Sequence, residues 1–589
     1  MATPVAPPSG ASALRSRRLS GSTWRRPWGL ALTVSIALLS ITGGFEASRG
    51  SPATPTPEMS PTQGFGALAK NSTSDWTSFM NGLSHDSDQG VNDGLNAGNA
   101  SKLSLLWSFA TGGPIISEPI VSGNVVYFGS WDGHEYAVSA EQGDYRWSTY
   151  LGQSQCTDRG SPIGVSSTSA YSNGTIYVGG GGEYWDALSA SNGSVEWSLF
   201  TGNNSTRSGG HYNWASPNLF GGFAYVGIAS HCDIPLVQGR LLKVDLASRS
   251  VFQTFNTTST SDLGASIWAS PAINPVTDTV FAATGNLEQG NNSTLDDSIL
   301  AFNMTTLQLE DRFQIPYAER HPDADFGASP TLYVADNGVP MVADTNKNGY
   351  LYGLDQENLS AGPVWSLRVA NGDTFSSAAY SRGTLFVGSS STTLPNGHHA
   401  SGALWAVNAT TGSVEWTLAL PGTVFGPVAA SADFVVAAGG RQLIVANQLT
   451  GQVKFRFIAD KPFYGGASIA DGRILCGDND GTLYAFGIPL RAGLNVTQIS
   501  SAHPLRYSFS GSATGGAHGY SFEWNLGDGT DATRATITHV YSHPGNYTVT
   551  LSVTDQAGAS LFLSANVVVT EPRAPFSTTG SRVSVTRRT

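Results

Sequence analysis

Alternating apolar runs, each followed by a turn and then a Trp or Phe, recur along this chain. The fullest copy is Ala403–Trp416 (ALWAVNATTGSVEW), with close versions at Glu135–Trp147 (EYAVSAEQGDYRW) and Glu183–Trp197 (EYWDALSASNGSVEW). Weaker copies stand at Gly239–Phe252, Ser298–Phe313, Gly349–Trp365 and Arg441–Phe455. The closing aromatics fall at 107, 147, 197, 252, 313, 365, 416 and 455, a period of about 40 to 60 residues. Period-2 alternation makes each run a strand, the turn residues reverse the chain, and the aromatic lands on the next strand. Such a unit buries its faces only against its neighbours, which is the logic of a propeller blade.

Eight three-strand units start near Ile115, Ser161, Trp214, Trp268, Phe326, Phe375, Phe425 and Tyr464. Seven are followed by an aromatic fourth strand. The last is not, and Leu105–Ala110 (LLWSFA) stands unused before the first. Pairing that strand with the last unit removes the open edge. The expected fold is all-β, an eight-bladed β-propeller over residues 75–489 with Asp75–Leu83 as a packed lead-in. Residues 1–47 read as a signal peptide or membrane anchor and 48–74 as a Ser/Thr/Pro-rich spacer. After a linker at 490–499, residues 500–571 alternate like a small β-sandwich. Its runs Trp524–Gly529 (WNLGDG) and Tyr541–Leu551 (YSHPGNYTVTL) resemble the polycystic-kidney-disease (PKD) type domain, a spacer or interaction module. Asp528 reads as a turn former there, and 572–589 as a disordered tail.

Charge sharpens the compartment. The formal net charge of −12 hides basic ends: without residues 1–50 and 571–589, 21 basic and 41 acidic residues remain. A body near −20 argues against a nucleic-acid partner. Arg15, Arg17, Arg18, Arg25 and Arg26 precede the apolar run Trp28–Ile41, which is short for a span and suits an export signal. Fourteen Asn-x-Ser/Thr sequons, several in expected turns, fit an extracellular or cell-surface glycoprotein. Three cysteines, Cys156, Cys232 and Cys476, include no Cys-x-x-Cys-His, so covalent haem is excluded. Cys476 reads as a core residue, and Cys156 and Cys232 as a candidate pair in neighbouring loops.

Loops entering the innermost strands of a propeller converge on one mouth of its channel, where several blades can hold one ligand. Arg159–Gly164, His211–Pro217 (HYNWASP), Gly264–Pro271 (GASIWASP) and His321–Pro330 (HPDADFGASP) are the polar, aromatic loops there. Trp268 is followed 18 residues later by Asn286, and Asp325 is followed 22 residues later by Lys347. Upstream, Ala229–Asp233 (ASHCD) runs into a blade strand.

This order and spacing resemble the pyrroloquinoline quinone (PQQ)-dependent alcohol dehydrogenases and their polyvinyl-alcohol-oxidising relatives, over most of 75–489. The resemblance implies that Trp268 stacks on the quinone, that Asn286 and Asp233 ligate Ca²⁺ as hard oxygen donors, and that Asp325 is the catalytic base. It implies that Lys347 stands beside the quinone oxygens, with Arg159 and Ser230 as looser cofactor contacts. Each has a plain structural counterpart: a core blade Trp, a turn Asn, a solvated loop Asp (with Asp323 its local rival) and a turn Lys. Two departures stand out. Asp233 replaces the family's Glu, with one residue inserted before Gly239, and Cys156 lacks the adjacent cysteine the family commonly carries. Two functions follow: an exported quinoprotein dehydrogenase oxidising an alcohol or sugar, or a non-catalytic surface propeller binding protein or glycan partners, in part through its PKD domain.

Overall fold

The structure is a computed structural model, describing residues 74–90, 94–155, 162–204, 210–232, 236–259, 261–287, 293–321, 323–431, 433–500, 502–516, 519–556 and 558–571. The segment read as an export signal, most of the expected spacer and the expected tail, together with Cys156, Arg159 and Asp233, lie outside these residues. Among them every element is a strand or a short 3₁₀ turn. No described helix is long and apolar enough to cross a membrane.

Among the described residues, eight sheets built on four antiparallel strands follow one another, one of them extended by Asp88–Gln89, which pairs parallel with Ala430–Ser431. The first runs through Ile120–Ser122, Val125–Gly129, His134–Ser139 and Tyr145–Tyr150. The last contains Phe463–Ala470, Arg473–Asp478 and Thr482–Gly487, and its outer strand is Ser104–Ala110, pairing from Ser104 opposite Gly487 to Ala110 opposite Thr482. The strand that precedes the first unit therefore completes the last, as its pattern required. In most sheets the pairing of third and fourth strands shifts register near the turn, as at Ala137/Val138 and Ala406/Val407, which adds local twist.

The closing aromatics show why the repeat keeps a Trp. Trp107, Trp147, Trp365 and Trp416 lie on fourth strands and donate their indole N–H to Ala140, Ala190, Ala409 and Gln448 of the next sheet, at 2.7–3.1 Å. Each ring covers a turn glycine of that sheet. A Cβ on Gly143 would sit 2.6 Å from Trp107, and Gly143 has φ +74°, so both the ring and the backbone demand glycine.

A second repeat operates around the channel. The backbone N–H of Glu118 donates to Thr168 Oγ1, Thr168 to Ser216, Ser216 to Ser270, Ser270 to Ser329 and Ser329 to Ser377, each at 2.8 or 2.9 Å. The Ser of each Ala-Ser-Pro triplet is thus a hydroxyl link between neighbouring sheets. Close backbone packing continues the ring: a Cβ on Gly426 would lie 2.2 Å from the Gly465 carbonyl, and one on Gly465 2.7 Å from that of Ile116.

Farther along the same inner strands, the lead-in threads the channel. Trp76 pairs with Val121, and the N–H groups of Tyr171, Ile273, Leu332, Tyr380 and Ala430 donate to Thr77, Leu83, Ser84, Asp86 and Ser87. The Asn218 side chain donates to Leu83 O, and Gln89 donates to Ile469 O. One segment thus touches an inner strand of all eight sheets. Its course is tight: Met80, Asn81, His85 and Ser87 all have positive φ. Trp76, Met80 and Ser87 are wholly buried.

Beyond the propeller sheets, Arg491–Ser500, His503–Thr514 and Thr536–Val540 form one sheet, and Asp531–Ala532, Ser521–Asn525, Gly545–Thr554 and Ser560–Val569 another. They enclose a core around Trp524, Phe509, Tyr541 and Leu551. Asp528 accepts the Thr530 N–H at 3.1 Å, as a turn former does, and also pairs with His539 Nε2 at 2.7 Å.

Candidate functional site

Four loops bring Trp268, Asn286, Asp325 and Lys347 to one place. Asp325 is buried, and both its oxygens are engaged: Oδ1 accepts the Asn286 backbone N–H at 2.5 Å, and Oδ2 accepts Lys347 Nζ at 2.9 Å. Gly285 makes room, since a Cβ there would meet Oδ1 at 2.8 Å. Lys347 also donates to Asp323 Oδ1 at 2.7 Å, and its backbone N–H reaches Asp325 O at 3.0 Å. Its ammonium stands 5.3 Å from the Trp268 ring centroid, within cation–π range. Burial alone would lower the Lys347 pKa; the charges and hydrogen bonds of Asp325 and Asp323 overcome it and push the pKa up to about 12. Trp268 is half-buried. Its benzo edge lies on Gly327, where a Cβ would be 2.3 Å from the ring, and it meets Phe375 edge-on at 5.8 Å.

The remaining candidates divide. Ser230 is built into a hydroxyl network: its Oγ accepts the Val237 N–H at 2.9 Å and meets Ser266 Oγ at 3.0 Å. None of these bonds reaches Asp325 or Lys347. Arg159 and Asp233 lie outside the described residues. Cys232 is disulfide-bonded and Cys476 is a buried free thiol, as its strand position suggested.

The expected cofactors test differently against this donor set. Trp268, a half-open flat ring held from one edge, suits a planar quinone, and Lys347 suits the charge that gathers on quinone oxygens. A calcium cage is not made by the described residues. No group of three or more His, Cys, Asp or Glu side chains among them is arranged to hold a metal ion. The Lys347 ammonium already bridges Asp323 and Asp325, and Asn286 adds one amide oxygen.

The family profile described as "Outer membrane protein assembly factor BamB" matches residues 89–247 and 347–488, just over half of the chain. The chain belongs to that family. A profile described as "PKD domain" matches residues 491–570, so this BamB-family propeller carries a PKD domain behind it. No curated protein matches the chain in sequence. Among solved structures, the quinohemoprotein alcohol dehydrogenase of Comamonas testosteroni aligns with TM-score 0.59 and 15% identity, covering 73% of this chain and 84% of that one. The quinohemoprotein alcohol dehydrogenase ADHIIG of Pseudomonas putida HK5 aligns with TM-score 0.59 and 14% identity, covering 70% and 80%. A europium-containing methanol dehydrogenase gives TM-score 0.56 and 16% identity, covering 70% and 98%. At such identities the likeness shows the propeller fold and leaves the chemistry to this chain's own residues.

One part of the mouth escaped the sequence reading. Asp297 lies beside the site, its N–H bonded to Gly285 O at 3.2 Å, its carboxylate buried with Oδ1 unpartnered and Arg320 Nε 3.8 Å from Oδ2. Burial first, then the charges of Asp296 and Asp325, push its pKa up to about 8. The available signal was the doublet Asp296-Asp297 heading the buried strand Ser298–Asn303, a costly place for charge without a purpose.

Proposed function

We propose that this chain is an exported propeller carrying a quinone-dependent dehydrogenase site that oxidises an alcohol or sugar hydroxyl. One observation carries the reading: Trp268, Asn286, Asp325 and Lys347, 79 positions apart at their extremes, converge within hydrogen-bond and ring-contact distance. The eight sheets are taken as eight blades, with the described cluster at the mouth and the lead-in behind it. PQQ, when bound on Trp268, would supply the two-electron acceptor to which the alcohol carbon gives up hydride. Asp325 would take the hydroxyl proton, its carboxylate aimed by Lys347 Nζ and the Asn286 N–H. Lys347 would meet the quinone oxygens with its remaining hydrogen-bond capacity. Ca²⁺ would depend on Asp233 joining the amide oxygen of Asn286, so no step is assigned to it.

A second reading is favoured by one feature. Lys347 is already satisfied by two carboxylates, as in a structural ion-pair knot, and a display propeller binding surface partners would need no more. Purified protein titrated with PQQ, with and without Ca²⁺, separates the two. Saturable quenching of Trp fluorescence together with dye-linked alcohol oxidation supports the enzyme. Unchanged spectra and melting temperature under both conditions leave the display propeller.

A further inference from the structure

The ring of Trp268 begins a row. Phe375 meets it at 5.8 Å, Phe425 stacks on Phe375 at 5.1 Å and 23°, and Tyr464 meets Phe425 edge-on at 5.1 Å. Trp268, Phe375 and Phe425 lie in loops that lead into inner strands and Tyr464 on an inner strand, in four different sheets. Glycines keep the row clear. Gly327 holds the position between Trp268 and Phe375, and Gly426 and Gly465 sit so close that a Cβ would strike backbone. Trp268, Phe375 and Phe425 are only half-buried, and Tyr464 is 37% exposed. A nearby aromatic trio gives the contrast. Phe313, Phe326 and Tyr352 touch at 5.5–6.4 Å, and all three are buried within the sheets as core. The row at the mouth makes similar ring contacts yet keeps part of each ring open to solvent.

Charged groups gather at one end. Lys347, Asp325 and the half-exposed Asp323 stand at Trp268, while the row runs away from them toward Tyr464. A small alcohol would use the charged end and leave Phe425 and Tyr464 idle. A sugar chain has the matching pattern: each ring offers a C–H face that loses water contact against an aromatic ring, and its hydroxyls stay at the rim. We propose that the rings Phe375, Phe425 and Tyr464, continuing from the quinone-bearing Trp268, are a platform for an oligosaccharide whose terminal hydroxyl-bearing carbon is presented at Asp325. The proposal rests on the dehydrogenase reading and names its substrate class.

The test measures chain-length dependence of binding, by saturation-transfer NMR and fluorescence, with glucose, maltotriose and maltopentaose and with cellotriose and cellopentaose. In at least one series the pentamer should bind about tenfold or more tighter than the monomer. Tyr464→Ala, at an exposed position, and Phe425→Ala should each remove most of that gain, with melting temperature of each variant measured alongside. Asp325→Asn should keep the gain. Affinity independent of length in both series, or a gain that survives in well-folded Tyr464→Ala, overturns the platform. If quinone titration fails while the length gain stands, the redox reading falls and the platform survives as a sugar-binding surface. If quinone binds and short alcohols turn over without any length gain, the platform falls and the redox reading remains.

Discussion

The two halves of the channel treat buried acid in opposite ways. At the mouth, Asp325 is buried, yet an ammonium lies 2.9 Å away and a backbone N–H completes its shell. Along the lead-in, Glu118 is just as buried, accepts the Met80 N–H at 3.0 Å with the Trp76 indole beside it, and has no cation against it. Burial dominates there and pushes Glu118 up to about 8, while burial drives the neighbouring His85 down to about 3. The lead-in end therefore holds Glu118 and His85 neutral, whereas at the mouth Lys347 is held charged beside Asp325, and Asp297 next to them is pushed toward neutrality. Charge in a low-dielectric site is costly unless matched, and Lys347 supplies that match to Asp325 where Glu118 has no cation.

That contrast can be broken at either end. Asp325→Asn should cost about 10³-fold in turnover while quinone affinity persists, measured by dye-linked oxidation against fluorescence titration; loss of both together would reassign the residue. Removing the lead-in's buried Trp comes next. Trp76→Ala empties a wholly buried site and should destabilise by about 3–5 kcal/mol in denaturant melts, whereas a loss under 1 kcal/mol would show that the lead-in is dispensable. Lys347→Met makes the mouth resemble the far end by leaving Asp325 buried without its cation, at a cost of about 3–5 kcal/mol; an unchanged melt would mean that the pair contributes nothing.

Glu118→Gln sharpens the comparison through pH. The folded pKa of Glu118 is raised from 4.5 to about 8, so the folded state holds a proton that the unfolded chain releases. The stability from that proton is complete below pH 4.5 and is lost as pH rises toward 8. The variant should therefore gain on the parent steadily across that window, and parallel pH–Tm curves would refute the assignment. His85 has the opposite sign: its contribution is full above pH 6.5 and is lost as pH falls toward 3. The smallest effect is expected from Ser270→Ala, which removes one link of the hydroxyl belt and should cost about 1 kcal/mol.

Much of this was legible beforehand, residue by residue. The Trp at 107, 147, 365 and 416 announced the strands on which they lie, because alternation and turn residues act locally. Leu105–Ala110 could be assigned to the last sheet because one strand was spare and one edge open. Trp268, Asn286, Asp325 and Lys347 were legible as a set only through spacing that resembles a known family. Ser230 was not separable from the hydroxyl network it serves, since Ser266 and Val237 become its partners only after folding. Asp297 and the aromatic row were missed for the same reason. Phe375, Phe425 and Tyr464 lie 50 and 39 positions apart, and no local pattern says that their rings touch.

By itself, then, the sequence determined the strands, their turns, the repeat and the sandwich behind it, because propensity and periodicity are properties of neighbours along the chain. Tertiary structure alone decided which carboxylate found a cation, which stayed neutral, and which rings were left half-open. Those outcomes depend on desolvation and on contacts between residues that meet only when the ring closes.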